Sequence, residues 1–359
     1  MQPSAHSRYV SVHAQQRQTF RLACTLLVAL CLLLSACARP VEKTKVKVLI
    51  VPKFEIGEMS GDFPGEAQLF YGQYCAGCDE IAIPSSTPTA RFFMNEDTGV
   101  GLLLTGAGKT AAGLSLASLL TWDAYDFSDT TIVSVGCGGA NTGSFVPGDV
   151  IVVTAACDAD LGHRTDEGEL TSPDSSRTWF PDESYSEYSY EPLNSELCEK
   201  TYQLLKDCRL RTTKTVTRVL EENFPGEGWA QREPCVAKGT VVTGDSFWKG
   251  RADHANAGFI AEYYGCPDDY AVTDMEEIAI MNAAECFGLQ DRVISLRVLV
   301  NFDTFLKGES PESLWLDGTD FGASAADDDG ETLDIFEPGM ENLFDAGRIV
   351  IDALLEGEL

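Results

Sequence analysis

The segment "SVGCGGANTGSFVPGDVIVVTAACDADLG", residues 134–162, carries the features that decide the fold class. It leaves one apolar, β-branched run, passes several glycines, and turns at Pro147 and Gly148 into a second such run. Runs that are apolar almost without a break are typical of strands covered on both faces. The segment therefore predicts two buried strands joined by glycine-rich backbone, including Gly138, that can approach other backbone or a ligand.

The same pattern continues on both sides of this segment, with helical periodicity between the apolar runs. The predicted strands are 46–51, 101–105, 131–135, 149–154, 239–243 and 292–300. The predicted helices are 109–120, 194–207, 212–223, 253–264, 275–287 and 339–355. Two aperiodic acidic segments, 164–192 and 316–335, are interpreted as surface excursions, the first of them overhanging a site. This alternation predicts an α/β protein built around one central sheet.

The N-terminal residues have the pattern of an export signal. Three arginines and no acid precede an apolar core at 22–34 that is too short to cross a bilayer as a helix. The core ends in "LSAC", which resembles the bacterial lipobox, where the cysteine receives a lipid; an uncleaved amphipathic helix is the alternative. We expect a bacterial cell-envelope protein anchored through Cys37, divided into a lipoprotein signal peptide at 1–36, a linker at 37–45 and one folded domain at 46–359.

Charge and cysteine content restrict the partners. The formal net charge is −30, and it becomes −33 once the three arginines of the signal are removed. Such a chain repels nucleic acid and disfavours anionic ligands, whereas neutral polar ligands bear no such cost. Of twelve cysteines, nine remain after signal removal and lipidation, and an odd number argues against a complete disulfide framework. Cys75 and Cys78 form a lone CxxC, so no metal site is expected there, and a local disulfide or plain thiols are the alternatives.

The stretch "TGAGKTAAG", residues 105–113, has the ending of a phosphate-binding P-loop. That motif needs a glycine five residues before Gly108, and Leu103 occupies the position. What remains is a strand, a glycine turn and a helix. Its free N–H groups at Gly108 would hold an anion or a polar ligand edge, or the glycines would serve only a tight turn.

The stretch "AVTDMEEIAIMNAAE", residues 271–285, opens like a helix but carries one acid more than a helix start needs. Asp274 and Glu277 are three residues apart, which predicts a reciprocal N-terminal cap whose loss would cost about 1 kcal/mol. Glu276, directly after Met275, has no such structural role. The spacing alone leaves open whether Glu276 faces a ligand.

Several ordered motifs resemble the purine nucleoside permeases, a branch of the nucleoside phosphorylase superfamily. They include "VPKFEIGEMSGDFPGEAQLFY" at 51–71, "VTGDSFWKG" at 242–250, "YGCPDDYAVTDMEEIA" at 264–279 and "PESLW" at 311–315. The resemblance covers about 46–356. It implies a nucleoside phosphorylase-like three-layer fold with a mixed central sheet, purine nucleosides such as inosine, guanosine and adenosine as ligands, and a homo-oligomer. It implies no cofactor, with phosphate as a candidate co-substrate.

The resemblance also implies site residues. Glu276, with Met275 beside it, would accept hydrogen bonds from both ribose hydroxyls, one on each carboxylate oxygen. Asn301, four residues after Arg297, would bond the imidazole edge of the purine and stabilise negative charge there as the glycosidic bond breaks. Asp303 is its rival for that role. The aromatic residues expected to stack on or pack behind the base are Trp179, Phe180 and Phe247.

The nucleophile side of the site departs from the hexameric phosphorylases. Where they carry an Arg and a Ser for phosphate, this chain has Ser134 and Cys137. Other candidates for the phosphate side are Lys53, Lys109, His163, Arg164 and His254. Water could instead be activated by Glu55 or Glu58. Two hypotheses follow: an enzyme that cleaves purine nucleosides with phosphate or water, or a binding lipoprotein that captures nucleosides for uptake.

Overall fold

A central mixed sheet organises the part of the chain that the computed structural model describes, which comprises residues 43–61, 64–161, 189–224, 226, 228–307 and 336–359. The strands of this part of the chain are β1 (Thr44–Lys45), β2 (Val48–Val51), β3 (Glu80–Ile81), β4 (Arg91–Asn95), β5 (Val100–Leu104), β6 (Tyr125–Asp126), β7 (Thr131–Ala140), β8 (Val150–Asp158), β9 (Tyr190–Pro192), β10 (Val236–Thr243), β11 (Tyr270–Asp274) and β12 (Val293–Phe302). Its helices are α1 (Gln68–Phe70), α2 (Lys109–Leu120), α3 (Ser195–Leu205), α4 (Lys214–Asn223), α5 (Arg251–Tyr264), α6 (Glu277–Cys286) and α7 (Phe336–Glu356).

The strands follow the order β11-β10-β8-β12-β7-β2-β5-β4-β3, with β9 on β8, while β1 and β6 pair separately. Strand β11 also pairs with β7, so β7, β12, β8, β10 and β11 close into a ring. Neighbours β2 and β5, β2 and β7, and β7 and β12 are parallel, whereas β8–β12 and β7–β11 are antiparallel. The predicted mixed central sheet is confirmed.

Helices cover the sheet where the sequence places their apolar faces. Helix α7 buries Met340, Leu343 and Val350 in the core, and its Gly347 lies close against Phe70. Helices α2 and α6 pack together at Gly113 and Ala279. A second, much smaller apolar cluster, which we call the α5 cluster, lies apart from the main core. It consists of Cys157, Ala159, Val242, Ala257, Ile260, Ala261 and Tyr270.

Element positions agree well with the sequence patterns, with informative exceptions. Helix α2 has the predicted bounds, but β7 runs five residues past its predicted end because its glycines go on pairing with β12 and β11. Strands β4 and β11 were not predicted. Helix α6 begins at Glu277, two residues later than expected.

Other predictions fall outside the described residues. The signal peptide at 1–36, most of the linker and the excursion at 316–335 lie there, so the proposed domain division stays a prediction. Of the excursion at 164–192, the described residues contain β9. Among the helices that the structure describes, none is long and apolar enough to span a membrane.

Candidate functional site

Glu276 lies between the end of β11 and the start of α6. Its side chain is only 8% exposed, and its Oε1 accepts a hydrogen bond from the backbone N–H of Gly108 at 2.7 Å. Gly108 has a φ of +89°, a conformation that favours glycine and turns this N–H into the site. Within the described residues, Oε2 has no hydrogen-bond partner. Glu276 is thus fixed by one oxygen and has the other available for a ligand.

Burial, followed by the charges of Asp274 and Glu66, raises the pKa of Glu276 to about 8, although the hydrogen bond from the Gly108 N–H lowers it. The free protein therefore holds much of this carboxyl group protonated at neutral pH. Hydroxyl donors from a ligand would favour the ionised form of Glu276. Both oxygens of a carboxylate accept hydrogen bonds, whereas one oxygen of a carboxylic acid carries a proton and donates.

Glu66 is a buried acid that the sequence reading missed. Its Oε2 accepts from the N–H of Lys53 at 2.8 Å, and its Oε1 accepts from the N–H of Cys137 at 2.8 Å. Its charge contributes to the raised pKa of Glu276. Several acids crowd the irregular stretch from 55 to 66, and only the contact with β7 shows which of them is buried in the site.

The acids that the sequence did single out in this stretch have other surroundings. Glu55 accepts hydrogen bonds from four backbone N–H groups, those of Ile56, Gly65, Ala67 and Gln68, so it organises the loop before α1. Glu58 is exposed. Neither is placed beside Glu276 by any contact among the described residues.

The glycines of β7 bring its backbone close to two other strands. A Cβ on Gly138 would overlap the carbonyl oxygen of Thr273 on β11. A Cβ on Gly139 would lie 3.0 Å from the Thr273 methyl group and 3.4 Å from Oδ1 of Asn301. Gly138 is therefore required by strand packing, and the Gly139 backbone borders the Asn301 amide.

Asn301 lies near the end of β12, paired with Gly139 of β7. Its side chain is 9% exposed, and its amide makes no hydrogen bond to any residue that the structure describes. A nearly buried amide without a protein partner is costly unless a ligand or water satisfies it. Asn301 is therefore a good candidate for contact with a polar ligand edge.

Asp303, its rival, is already satisfied by the protein. Its Oδ1 accepts from the N–H of Thr142 at 3.0 Å, and its Oδ2 contacts His254 Nδ1 and the Tyr270 hydroxyl, each at 2.8 Å. These bonds tie the end of β12 to α5 and β11. Asp303 supports the segment that carries Asn301, and it has less capacity left for a ligand.

Of the predicted reciprocal cap of α6, the interaction made by Asp274 is confirmed. Asp274 Oδ2 does accept from the N–H of Glu277 at 3.0 Å. Glu277 does not cap in return, and that part of the prediction is wrong. Its Oε2 instead accepts from Arg297 Nη2 at 2.5 Å and from the Ser134 hydroxyl at 2.6 Å. Because Arg297 is fully buried inside the sheet, it needs this carboxylate as a counter-charge.

The basic candidates for phosphate are bound by the protein itself. Lys53 is buried, and its ammonium donates to Ser134 at 2.6 Å and to the Val135 carbonyl at 2.9 Å. Burial, followed by the charge of Arg297, lowers the pKa of Lys53 to about 8. Lys109 pairs with Asp158 and Asp160, each at 2.9 Å.

Of the remaining basic candidates, the structure describes one. His254 is held by Asp303. His163 and Arg164 lie outside the described residues. The site shown by the structure is therefore acidic rather than basic.

The helix N-terminus that the glycine turn creates is also occupied. Gly108 N–H donates to Glu276, and Lys109 N–H donates to Asp245 Oδ1 at 2.7 Å. Two of the groups that could hold an external anion are thus capped by carboxylates of this chain. Both N–H groups are held by carboxylates of this protein, and the binding of a ligand edge by this turn stays a prediction.

Of the three aromatic candidates for contact with the base, the structure describes Phe247. Phe247 follows β10 and is 52% exposed, so it does not belong to the core. Met275 is half-buried. Trp179 and Phe180 lie outside the described residues. No group of described side chains has the ligands for a metal ion.

The mixed sheet that closes on itself has the nucleoside phosphorylase- and nucleosidase-like fold. Among solved structures, the chain is similar to the 5′-methylthioadenosine/S-adenosylhomocysteine nucleosidase of Neisseria meningitidis in complex with methylthio-immucillin-A, with a TM-score of 0.50, 15% identity, and coverage of 86% of this chain and 99% of that one. It is also similar to the Helicobacter pylori enzyme with butyl-thio-DADMe-Immucillin-A, with a TM-score of 0.52, 12% identity, and coverage of 88% and 100%. At these identities the likeness establishes the fold.

The chain belongs to the purine nucleoside permease (NUP) family, whose sequence model matches residues 45–357. It is 25% identical over 164 residues to a probable purine nucleoside permease of Schizosaccharomyces pombe, a match that covers 41% of this chain and 47% of that protein. The chain thus matches about half the length of this curated relative.

Proposed function

We propose that this protein binds purine nucleosides beside the glycines of β7 and cleaves their N-glycosidic bond with water. The observation that carries the proposal is that β11 and β12 both pair with β7 at Gly139: Glu276 follows β11 and is fixed by one oxygen on Gly108, and the unpartnered amide of Asn301 borders Gly139. One group suits a sugar diol and the other suits a purine edge. Among the described residues, neither Oε2 of Glu276 nor the amide of Asn301 has a hydrogen-bond partner.

Glu276 is the ribose-binding group in this proposal. The 2′- and 3′-hydroxyls of ribose donate to its carboxylate, Oε2 taking one of them and the second lone pair of Oε1 the other. Oε1 keeps its bond to Gly108, so the sugar position is set by the α2 turn. Charge-assisted bonds of this kind are about twice as strong as neutral ones.

Asn301 is the base-binding group. Its amide N–H donates to N7 of the purine, where negative charge develops as the bond between C1′ and N9 breaks. An amide holds this charge without transferring a proton, so the proton that the base needs comes from solvent. Asp303 positions Asn301 through the end of β12.

Glu66 is the base that activates water. It is buried, and it lies against β7 through its hydrogen bond from the Cys137 N–H. Each of its oxygens accepts backbone bonds yet keeps a lone pair, since a carboxylate offers about four acceptor sites. As the water oxygen bonds to C1′, Glu66 takes the water proton, and the bonding electrons leave with the purine. The products are ribose and the free base.

Water is favoured over phosphate because the site lacks free positive charge among the residues described. Lys53 and Lys109 are bound by groups of the protein, and the α2 N-terminus is capped by Glu276 and Asp245. A phosphate anion would have to enter beside these carboxylates without a compensating cation. Release of free base in phosphate-free buffer tests this directly.

Capture without cleavage is the second candidate function. The family description favours it, and so does the amide at Asn301, which cannot act as a general acid. In that case Glu276 and Asn301 keep their binding roles and Glu66 has a structural one. Lipid attachment at Cys37, location in the cell envelope and assembly into a homo-oligomer stay proposals that accord with either function.

Removing the Glu276 carboxylate should weaken binding strongly. Loss of a charged acceptor from a desolvated site costs about 2 to 4 kcal/mol, so Glu276→Ala should raise the Kd for adenosine by roughly thirty-fold to several hundred-fold. Isothermal titration measures this change. A folded Glu276→Ala protein that binds adenosine normally would remove Glu276 from the site.

The same group should make binding depend on pH. Since the pKa of Glu276 is about 8 in the free protein and hydroxyl donors favour its ionised form, affinity should rise as pH increases from 6 to 8, by up to about tenfold per unit. Glu276→Gln is the matched control. It keeps Lys53, whose pKa is also about 8, so pH dependence that survives in this variant would belong to Lys53.

Asn301→Asp should change base preference. An amide can direct its NH₂ at both N7 and O6 of a 6-oxopurine, whereas a protonated Asp can donate to N7 and accept from the 6-amino group of adenine. We expect a shift toward adenosine over inosine of about 1 to 3 kcal/mol, the scale of one placed polar contact. The ratio of the two Kd values measures it, and an unchanged ratio would exclude Asn301 from the base site.

A further inference from the structure

The sulfur atoms of Cys157 and Cys266 lie 3.4 Å apart, although 109 positions separate them in sequence. Cys157 is buried and is the next-to-last residue of β8. Cys266 is half-buried and directly follows Gly265, the C-cap of α5. Cys157 belongs to the α5 cluster and Cys266 packs against it. Two distant segments therefore present their thiols to each other across a small apolar cluster.

We infer that Cys157 and Cys266 form a redox site that closes into a disulfide joining β8 to the end of α5. A disulfide needs its sulfurs about 2.05 Å apart, so they must approach by roughly 1.4 Å, a movement within reach of side-chain rotation. Cys266 is half-buried, so an oxidant can reach its sulfur. Cys157 is buried, so its sulfur is less accessible.

The two thiols have different chemical characters. The hydrogen bond from Cys157 lowers the pKa of the Cys266 thiol, and the Thr240 hydroxyl adds to this effect. The same bond and burial raise the pKa of Cys157. Since the thiolate is the nucleophile, Cys266 is the attacking sulfur and Cys157 is the resolving one.

The oxidant is a small-molecule or protein disulfide. The Cys266 thiolate attacks one sulfur of that disulfide, forming a mixed disulfide and releasing one thiolate. Cys157 then loses its proton to solvent, and its sulfur attacks Cys266, which expels the second thiolate. The two protein thiols are oxidised, and the incoming disulfide is reduced to two thiols.

The bond would strengthen a part of the fold with a small core of its own. Helix α5 rests on the α5 cluster rather than on the main core. It also carries His254, which contacts Asp303 near the end of β12. Closing a loop of 109 positions removes much conformational entropy from the unfolded chain, and the gain grows with loop length.

The test uses the full chain, reduced and then exposed to oxidised glutathione. Remaining thiols are alkylated under denaturing conditions, and the protein is cut at aspartate and glutamate. Asp149 separates Cys157 from Cys137, and Asp268 separates Cys266 from Cys286. We expect a cross-linked peptide pair containing Cys157 and Cys266, lighter by two hydrogens, and a Tm about 5 to 10 °C above that of the reduced protein.

Two variants complete the test. Cys286→Ser removes an exposed thiol of α6 and should keep both the cross-link and the gain in Tm. Cys266→Ser should lose both while remaining folded, since its side chain is only half-buried. Alkylation of both Cys157 and Cys266 after oxidation would overturn the inference. So would a mixed disulfide with glutathione that persists on Cys266.

Discussion

Replacing Glu66 with glutamine should lower the rate of free-base release from inosine by about 10²- to 10⁴-fold, the range that a positioned general base contributes. Glutamine keeps one acceptor oxygen but cannot take the proton from the attacking water. Since Glu66 does not contact the sugar or the base in our proposal, the Kd for inosine should change little. Steady-state kinetics of base release, with titration of binding, separate the two effects.

Glu58→Gln is the matched control for Glu66. Glu58 lies in the same acidic stretch, but it is exposed, so its substitution should leave turnover within a factor of about two. Glu66 also accepts from backbone N–H groups of Lys53 and Cys137, so the folded state of the variant needs checking by its Tm. A folded Glu66→Gln protein with normal turnover would contradict the assigned role.

Replacing Glu277 with alanine should destabilise the fold by about 3 to 5 kcal/mol, because it leaves Arg297 buried with one of its two acidic partners removed. Arg297 Nη2 also contacts Asp274 at 2.9 Å, which limits the loss without abolishing it. The Lys53 ammonium, 3.8 Å from Glu277, loses a counter-charge as well. Urea unfolding of the variant measures the change in the free energy of unfolding.

A surface acid provides the comparison. Glu196 lies in the first turn of α3, its side chain is 78% exposed, and it pairs with Lys200. Glu196→Ala should cost about 0.5 kcal/mol or less. If Glu277→Ala cost only about 1 kcal/mol, the value of a lost cap, the buried network would not carry the stability that its geometry implies.

The contrast between these two roles of Glu277 shows where sequence reasoning stops. The spacing from Asp274 to Glu277 correctly indicates that Asp274 caps α6, because capping depends on neighbours in sequence. The bond from Glu277 to Arg297 joins α6 to β12, and such a contact depends on how the strands are ordered. Local pattern contains no information about that order.

The sheet shows the same difference between features set by local sequence and features set by non-local contacts. Apolar runs indicate the long strands, and the small-residue helix α2 is found with its bounds. The extension of β7 through its glycines was missed because glycine usually interrupts a strand. Here the absent side chains are what allow β11 to pair with β7 and close the ring, a non-local contact.

The site was predicted in outline for related reasons. Glu276 and Asn301 follow from motifs that resemble a family; Asn301 borders Gly139 of β7, whereas Glu276 is hydrogen-bonded to Gly108, and their roles stay predictions. Glu66 was missed because it is one of several acids in an irregular stretch, where burial follows from tertiary contact alone. The occupied α2 N-terminus could not be seen either, since Glu276 and Asp245 reach it from distant segments.

Incubating the purified protein with inosine, with and without phosphate, tests the central claim most directly. Chromatography follows hypoxanthine together with the sugar product. Cleavage by water predicts hypoxanthine and free ribose, formed at the same rate whether phosphate is present or absent. Hypoxanthine formed only with phosphate, together with ribose 1-phosphate, would contradict the account, and bound inosine that is never cleaved would identify the protein as a capture protein instead.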